Sequence, residues 1–282
     1  MASGLLDPTS IRELASQLGL RPSKQRGQNF VTDANTVRRI VAASAVTQND
    51  VVLEVGPGLG SLTLGLLQAA GRVIAVEIDS SLATQLPHTI EARLPERSAA
   101  LTVINADALR IRTVPEPPTT VVANLPYNVA VPVLLHLLAT FDSWNRGLVM
   151  VQAEVADRLV AMPGSKTYGI PSVKVAWYAA AMQVGTVSST VFWPVPNVES
   201  GLVAIERRAQ PETVATREQV FAVVDAAFRQ RRKMLRSALA ELTGSAAAAS
   251  AAVEAAGLDP RARGETMDVI EFAKIAEQIF GT

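Results

Sequence analysis

Four consecutive residues, Asn124-Leu125-Pro126-Tyr127, combine groups able to hold a planar amine. The amide oxygen of Asn124 and the backbone carbonyl of Leu125 can together accept both hydrogens of an exocyclic amine. The ring of Tyr127 can stack on the heterocycle that carries it. The preceding residues Val121-Val122-Ala123 suit a buried strand, because β-branched side chains fit a pleat and Pro126 then stops the ladder. The strand releases Asn124 and Tyr127 at its carboxyl edge, where open α/β sheets bind their ligands. A nucleobase amine fits this set of groups.

A second constellation lies upstream. Val51–Val55 reads as a strand that runs straight into Gly56-Pro57-Gly58-Leu59-Gly60, and Ser61–Ala70 reads as the helix that follows. Glycines at a strand-to-helix turn let a ligand approach the backbone and the helix N-terminus. Ser61 stands where a dinucleotide fingerprint has its last glycine. Glu77 ends the next strand about 20 residues on, where an acid can take both ribose hydroxyls. Asp107 ends a third strand and can accept from an adenine amine. The loop and the two acids together describe an adenosine-containing cofactor, and S-adenosylmethionine fits better than NAD. Glu54, inside the strand, reads as an acceptor that shapes the loop.

The elements that position these groups follow from periodicity. Thr9–Leu20 and Asn35–Val46 show helical spacing, and the polar, basic stretch Arg21–Val31 reads as a loop. Strands at Val51–Val55, Arg72–Ile78 and Leu101–Ile104, the run that delivers Asn124, and Gly147–Val151 alternate with helices, which predicts a parallel, doubly wound sheet. Val184–Val191 and Asn197–Ile205, joined through Phe192-Trp193-Pro194-Val195-Pro196, suit an antiparallel pair closing that sheet. From Thr213 the chain reads as helix throughout, as Thr213–Leu242, Ser245–Ala256 and Val269–Phe280. This places a boundary near Gln210–Pro211, with a first domain over residues 1–210 and a helical one over 211–282. His88, in a predicted loop, and His136, in an apolar helix, read as structural.

Composition narrows the function classes. The 282 residues are 49% hydrophobic and 18% charged, a balance that supplies a core. The absence of cysteine excludes disulfides, a thiol nucleophile and zinc–cysteine sites, and no other metal-ligand set stands out. The opening MASGLLDPTS carries an acid and a proline where a signal peptide has basic and then apolar residues. The apolar stretch Val129–Phe141 is interrupted and too short to span a bilayer, so a cytoplasmic location is expected. Formal net charge is zero, yet Ala226–Ala240 holds five basic residues and no acid. Such a run can meet RNA phosphates through Arg229, Arg232, Lys233 and Arg236, with Arg231 held in an ion pair and Lys24 and Arg26 adding a second contact.

These motifs occur in order as RGQNFV (Arg26 to Val31), LEVGPGLGSLT (Leu53 to Thr63), Glu77, NADAL (Asn105 to Leu109), NLPY, FWPVPNVES (Phe192 to Ser200) and FRQRRKMLRSAL (Phe228 to Leu239). The whole resembles the KsgA/RsmA family of ribosomal RNA adenine dimethyltransferases, with Arg26 in place of the family's usual apolar residue and a looser RARGETM tail. The resemblance implies a Rossmann-like class I S-adenosylmethionine-dependent methyltransferase sheet with a small all-helical C-terminal domain. It implies dimethylation of N6 on two adjacent adenosines in the 3′-terminal hairpin loop of 16S rRNA. The expected partner is a small-subunit (30S) particle, met by a monomer without a membrane. By that resemblance Gln28, Asn29, Val31, Gly56, Gly58, Glu77 and Asp107 hold the cofactor, and Asn124 lies between cofactor and target. Tyr127 is expected to stack on the target base and Phe192 to cover its other face. Rival readings are an Erm-like enzyme acting on large-subunit rRNA, a non-catalytic assembly factor that binds rRNA, and a DNA adenine methyltransferase, which lacks here a sequence-reading domain.

Overall fold

A computed structural model describes residues 4–20 and 29–281 and divides the chain into two compact units. The first comprises Met1–Ala156 and Met182–Arg207, the second Asp157–Ala181 and Arg208–Thr282. The division after Arg207 falls close to the boundary expected at Gln210–Pro211. Asp157–Ala181, however, which the sequence reading assigned to the first domain, folds with the C-terminal helices. The reason is aromatic packing: Trp177 and Tyr178 meet Phe221 edge-on, and Tyr168 meets Phe228.

In chain order the first unit holds α1 (Pro8–Gln17), β1 (Phe30–Val31), α2 (Ala34–Ala43), β2 (Val51–Val55), α3 (Ser61–Ala69) and β3 (Arg72–Glu77). There follow α4 (Ser80–Arg93), β4 (Leu101–Asn105), β5 (Thr120–Asn124), α5 (Ala130–Thr140) and β6 (Arg146–Gln152). The chain leaves through α6 (Ala153–Leu159), forms α7 (Ile170–Ala176), and returns along β7 (Ala179–Val187) to β8 (Phe192–Trp193) and β9 (Ser200–Arg207). Aspartates cap three of these helices by accepting from first-turn amides: Asp7 on α1, Asp33 on α2 and Asp79 on α4. His88 lies within α4 rather than in a loop. The Asp79 cap and the buried stripe Leu82, Leu86, Ile90 carry the helix through Pro87.

Seven strands form one sheet in the order β4-β3-β2-β5-β6-β9-β7. The pairs β3–β4, β2–β3, β2–β5 and β5–β6 are parallel, and β9 runs antiparallel to β6. The doubly wound expectation therefore holds, and β9 with β7 completes the far side. The link between them is not a plain connection. Phe192–Trp193 pairs antiparallel with Phe30–Val31, so the expected loop Arg21–Val31 ends in a strand, and Trp193 stacks on Phe30 with centroids 6.2 Å apart. The order of strands reverses between β2 and β5, and the carboxyl ends Val55, Glu77, Asn105 and Asn124 share one edge of the sheet. No helix among the described residues is long and apolar enough to cross a membrane.

The opposite edge is fastened by Asp50. Its carboxylate accepts from Thr47 N at 2.8 Å, Thr47 Oγ1 at 2.9 Å and Thr119 Oγ1 at 2.8 Å, and pairs with Arg146 Nη2 at 2.7 Å. Residues preceding β2 and β5 and the first residue of β6 are thereby tied to one buried group.

The second unit contains α7 and five further helices: α8 (Arg217–Arg229), α9 (Leu235–Ala238), α10 (Ala240–Thr243), α11 (Ala246–Ala255) and α12 (Val269–Phe280). The continuous helix expected over Thr213–Leu242 does not form. α8 stops at Arg229, Gln230 leaves helical geometry, and residues 230–234 turn. The backbone there finds other partners: Met234 bridges Arg263, Leu235 N donates to Ala262 O at 2.8 Å, and Arg236 N to Pro260 O at 3.1 Å. Mutual repulsion within the cationic run favours this turn over stacking the same charges along one helix. Phe221, Val224, Phe228, Leu235 and Leu239 still pack inward, from two helices instead of one.

Asp50→Ala leaves the Arg146 guanidinium and three donors without their shared acceptor, so unfolding in urea should show a loss of about 3 kcal/mol. A loss under about 1 kcal/mol, the scale of a surface pair, would mean that this edge is held by other contacts.

Candidate active site

A cavity of about 830 Å³ opens at the carboxyl edge, between the ends of β2, β3, β4 and β5. Its wall brings together Asn29, Val31, Gly56, Gly58, Glu77, Asp107 and Asn124, residues expected from sequence to share a site. Gln28, Lys24 and Arg26 lie outside the described residues.

The glycine turn is shaped by conformation and by crowding. Gly56 and Gly58 take φ of +70° and +58°, left-handed values that favour glycine. A Cβ on Gly58 would also stand 2.8 Å from the Phe30 ring. Glu77 locks the turn from the neighbouring strand: Gly58 N donates to Oε2 at 3.1 Å and Asp79 N donates to Oε1 at 2.9 Å. The carboxylate is 5% exposed, and burial pushes its pKa up against those backbone hydrogen bonds. Asn105 Nδ2 donates to the Glu77 carbonyl at 2.8 Å and so fixes the strand end that carries the acid. Asp107 Oδ1 accepts from Leu109 N at 2.9 Å.

Asn124 occupies the end of β5, and its Nδ2 donates to Asn29 O at 3.1 Å. That bond directs the amide nitrogen to the protein and leaves Oδ1 as the acceptor. Leu125 is buried, and its N–H donates to Met150 O at 3.0 Å, which holds the residue against β6. Pro126 lines the cavity. Tyr127 is half-buried beside it, its hydroxyl hydrogen-bonded to Ser200 Oγ at 2.7 Å, and is not part of the cavity wall.

Phe192 corrects the expectation. It is 2% exposed, packs in the hydrophobic core as part of β8, and does not line the cavity. Paired with Val31, its ring packs to the interior and away from the cavity wall, where a ring covering a base at the cavity was expected. Of the expected RNA-contacting residues, Arg232, Lys233 and Arg236 are exposed, whereas Arg229 forms a surface pair with Glu241 at 3.0 Å. Arg231 pairs with Glu265 at 2.8 Å, as expected of the one structural cation in the run.

Sequence reasoning missed Ser61, Ile78, Leu109 and Asn128, all of which line the cavity. Ile78 offered a signal: an apolar residue between two acids at a strand end, left 69% exposed. The buried Ser61 Oγ has no hydrogen-bond partner among the described residues, although it sits in the first turn of α3.

The wall carries four carboxyl side chains, of Glu54, Glu77, Asp79 and Asp107, and no lysine, arginine or histidine among the described residues. It therefore favours a ligand with positive charge and hydroxyl or amine donors. Glu54 is 1% exposed; burial pushes its carboxyl up to about 8, the hydrogen bond from Thr63 Oγ1 at 2.7 Å opposes the shift, and Glu77 adds to it. The folded chain keeps this proton where the unfolded chain, with an ordinary value of 4.5, has lost it. Stability should thus fall as pH rises from 4.5 towards about 8 and level off above. Glu54→Gln should remove most of that slope, on the order of a few kcal/mol over the window, when unfolding is followed at several pH values. An unchanged slope would mean that Glu54 is ionised in the folded chain.

Comparison with known proteins agrees with this geometry. The family model described as ribosomal RNA adenine dimethylase matches residues 20–279. A protein named ribosomal RNA small subunit methyltransferase A, from Streptomyces avermitilis, is 64% identical over 275 residues, covering 97% of this chain and 93% of that one. The crystal structure of a dimethyladenosine transferase from Plasmodium falciparum shares the fold with a TM-score of 0.72 at 22% identity, over 87% of this chain and 95% of that one. The 23S rRNA methyltransferase ErmE gives 0.63 at 25% identity, over 89% and 99%. A dimethylase match over nearly the whole chain, on a sheet whose glycine turn and Asn124 face one cavity, places this protein in the ribosomal RNA adenine dimethylase family.

Proposed function

We propose that this chain transfers methyl groups from S-adenosylmethionine to N6 of two adjacent adenosines in the 3′-terminal hairpin loop of small-subunit rRNA, acting on a 30S particle. The observation that carries the reading is the placement of Asn124. It shares a cavity with the glycine turn and the two strand-end acids, and its amide nitrogen is already committed to Asn29.

The wall fits such a donor. Three carboxylates without a counter-cation, from Glu77, Asp79 and Asp107 beside the protonated Glu54, suit a molecule carrying a sulfonium and an ammonium, and the orphaned Ser61 Oγ supplies an unmatched polar atom at a helix start. Glu77 and Asp107 would take ribose and adenine, with the Gly56–Gly58 turn against the amino-acid end. When bound, S-adenosylmethionine supplies an electrophilic methyl group. The chain's own part is orientation and charge placement. An adenine amine is a poor nucleophile while its lone pair is delocalised into the ring. Asn124 Oδ1 and the Leu125 carbonyl, accepting its two hydrogens, turn the lone pair out of conjugation and aim it along the line of displacement.

Tyr127 stacks on the target base in this proposal, its ring held by the Ser200 tether, at a contribution of about 1–3 kcal/mol. The base has to leave its loop stack to reach the cavity. In the second unit, Arg232, Lys233 and Arg236 meet backbone phosphates, which makes binding salt-sensitive.

Asn124→Ala should lower methyl transfer by at least about 100-fold, the scale of losing a group that positions or stabilises the reacting centre. Its affinity for small subunits should stay within about threefold, which is under 1 kcal/mol. Turnover near the wild-type rate would remove Asn124 from the chemistry. Incubating the protein with labelled donor and unmethylated small or large subunits should place dimethyladenosine in the small-subunit RNA alone; product in the large-subunit RNA would overturn the assigned substrate.

A further inference from the structure

Residues 160–169, between α6 and α7, form a loop that is held far more firmly than its polarity requires. Ser165 N and Ser165 Oγ both donate to Met162 O, at 3.1 and 2.8 Å, closing a turn. Gly164 N donates to Glu265 O at 2.7 Å. Tyr168 is buried, and its hydroxyl donates to Met267 O at 2.8 Å. Arg231 completes the attachment: Nη2 donates to Lys166 O at 2.7 Å and Ser165 O at 3.4 Å, while Nε bonds Glu265 Oε2 at 2.8 Å.

Three stretches distant in sequence, 162–168, 230–234 and 263–267, are thus tied together, with one arginine and one glutamate at the knot. The charge of Arg231 is matched by Glu265. Those of Lys166, Arg232 and Lys233 are not: all three are exposed, and none makes an ion pair among the described residues. Because the Lys166 carbonyl is bonded to the guanidinium of Arg231, the backbone of the loop lies against the turn that carries Arg232 and Lys233. Unmatched cations converging from separate segments raise the potential for an anionic polymer well above that of one isolated side chain.

We propose that the 162–167 loop is part of the RNA-contacting surface, with Lys166 taking a backbone phosphate beside those met by Arg232 and Lys233. Arg231 acts as the positioning residue that holds the loop in place. The proposal rests on the reading that this chain binds ribosomal RNA, and it extends the footprint beyond the cationic run at 229–236 to a segment distant from it in the chain.

The test is a titration of small-subunit rRNA against the full chain at several salt concentrations. Lys166→Glu should weaken binding about tenfold at low salt and make the log–log salt dependence shallower by about one. Its affinity for S-adenosylmethionine, measured by calorimetry, should be unchanged. Arg231→Gln, checked for folding by urea denaturation, should reproduce most of the loss, and the Lys166→Glu/Arg231→Gln pair should be no weaker than the stronger single variant. Additive losses would deny Arg231 the positioning role. Wild-type affinity and slope in Lys166→Glu, with both reduced in Arg232→Glu/Lys233→Glu, would exclude the loop while leaving the basic turn as the RNA surface. Wild-type behaviour in both variants would remove the RNA-binding reading of the whole region.

Discussion

Glu77 ties the glycine turn after β2 and the start of α4 to one buried carboxylate. Its carboxylate ends β3, yet one oxygen accepts from the glycine turn that follows β2 and the other from the amide that opens α4. Burial makes this arrangement expensive to break, because removing the carboxylate strands two amides in an interior that cannot solvate them. Asn105 extends the same constraint by gripping the Glu77 carbonyl, so three neighbouring strand ends are set relative to one another before any ligand arrives.

Formal neutrality conceals a separation of charge. The cavity wall in the first unit is acidic, and the 230–236 turn of the second is basic. A donor carrying a sulfonium and an anionic polynucleotide make opposite demands on a surface, and in the proposed function each is met by a different unit. The buried Glu54 shows how far the cavity can be pushed: with Glu77 as a neighbour and one hydroxyl as a donor, it keeps its proton near neutrality.

Much of this was legible in the chain itself. Alternating strands and helices predicted the parallel sheet, and acids or amides at strand ends predicted which residues would share an edge, because strand-end position depends on local pattern alone. What escaped was tertiary. Nothing local marks the 157–181 stretch as belonging to the helical unit, since the aromatic contacts of Trp177 and Tyr168 lie many residues away. Helical periodicity in 213–242 is genuine, but bonds from Leu235 and Arg236 to the 260–262 segment broke it. The family likeness leads one to expect Phe192 over a base, while its pairing with Val31 decides its orientation. Ser61 carried a signal only in retrospect, as a hydroxyl where a small apolar residue would pack without loss.

The sheet is finished at one rim and unfinished at the other. At the amino-terminal rim Asp50 gathers groups from before β2 and β5 and from the start of β6. At the opposite rim the same neighbourhood ends in an orphaned hydroxyl and an amide oxygen awaiting a donor. A molecule seated there would meet strand ends that Glu77 and Asn105 already hold in place, so its binding would call for little rearrangement of the sheet.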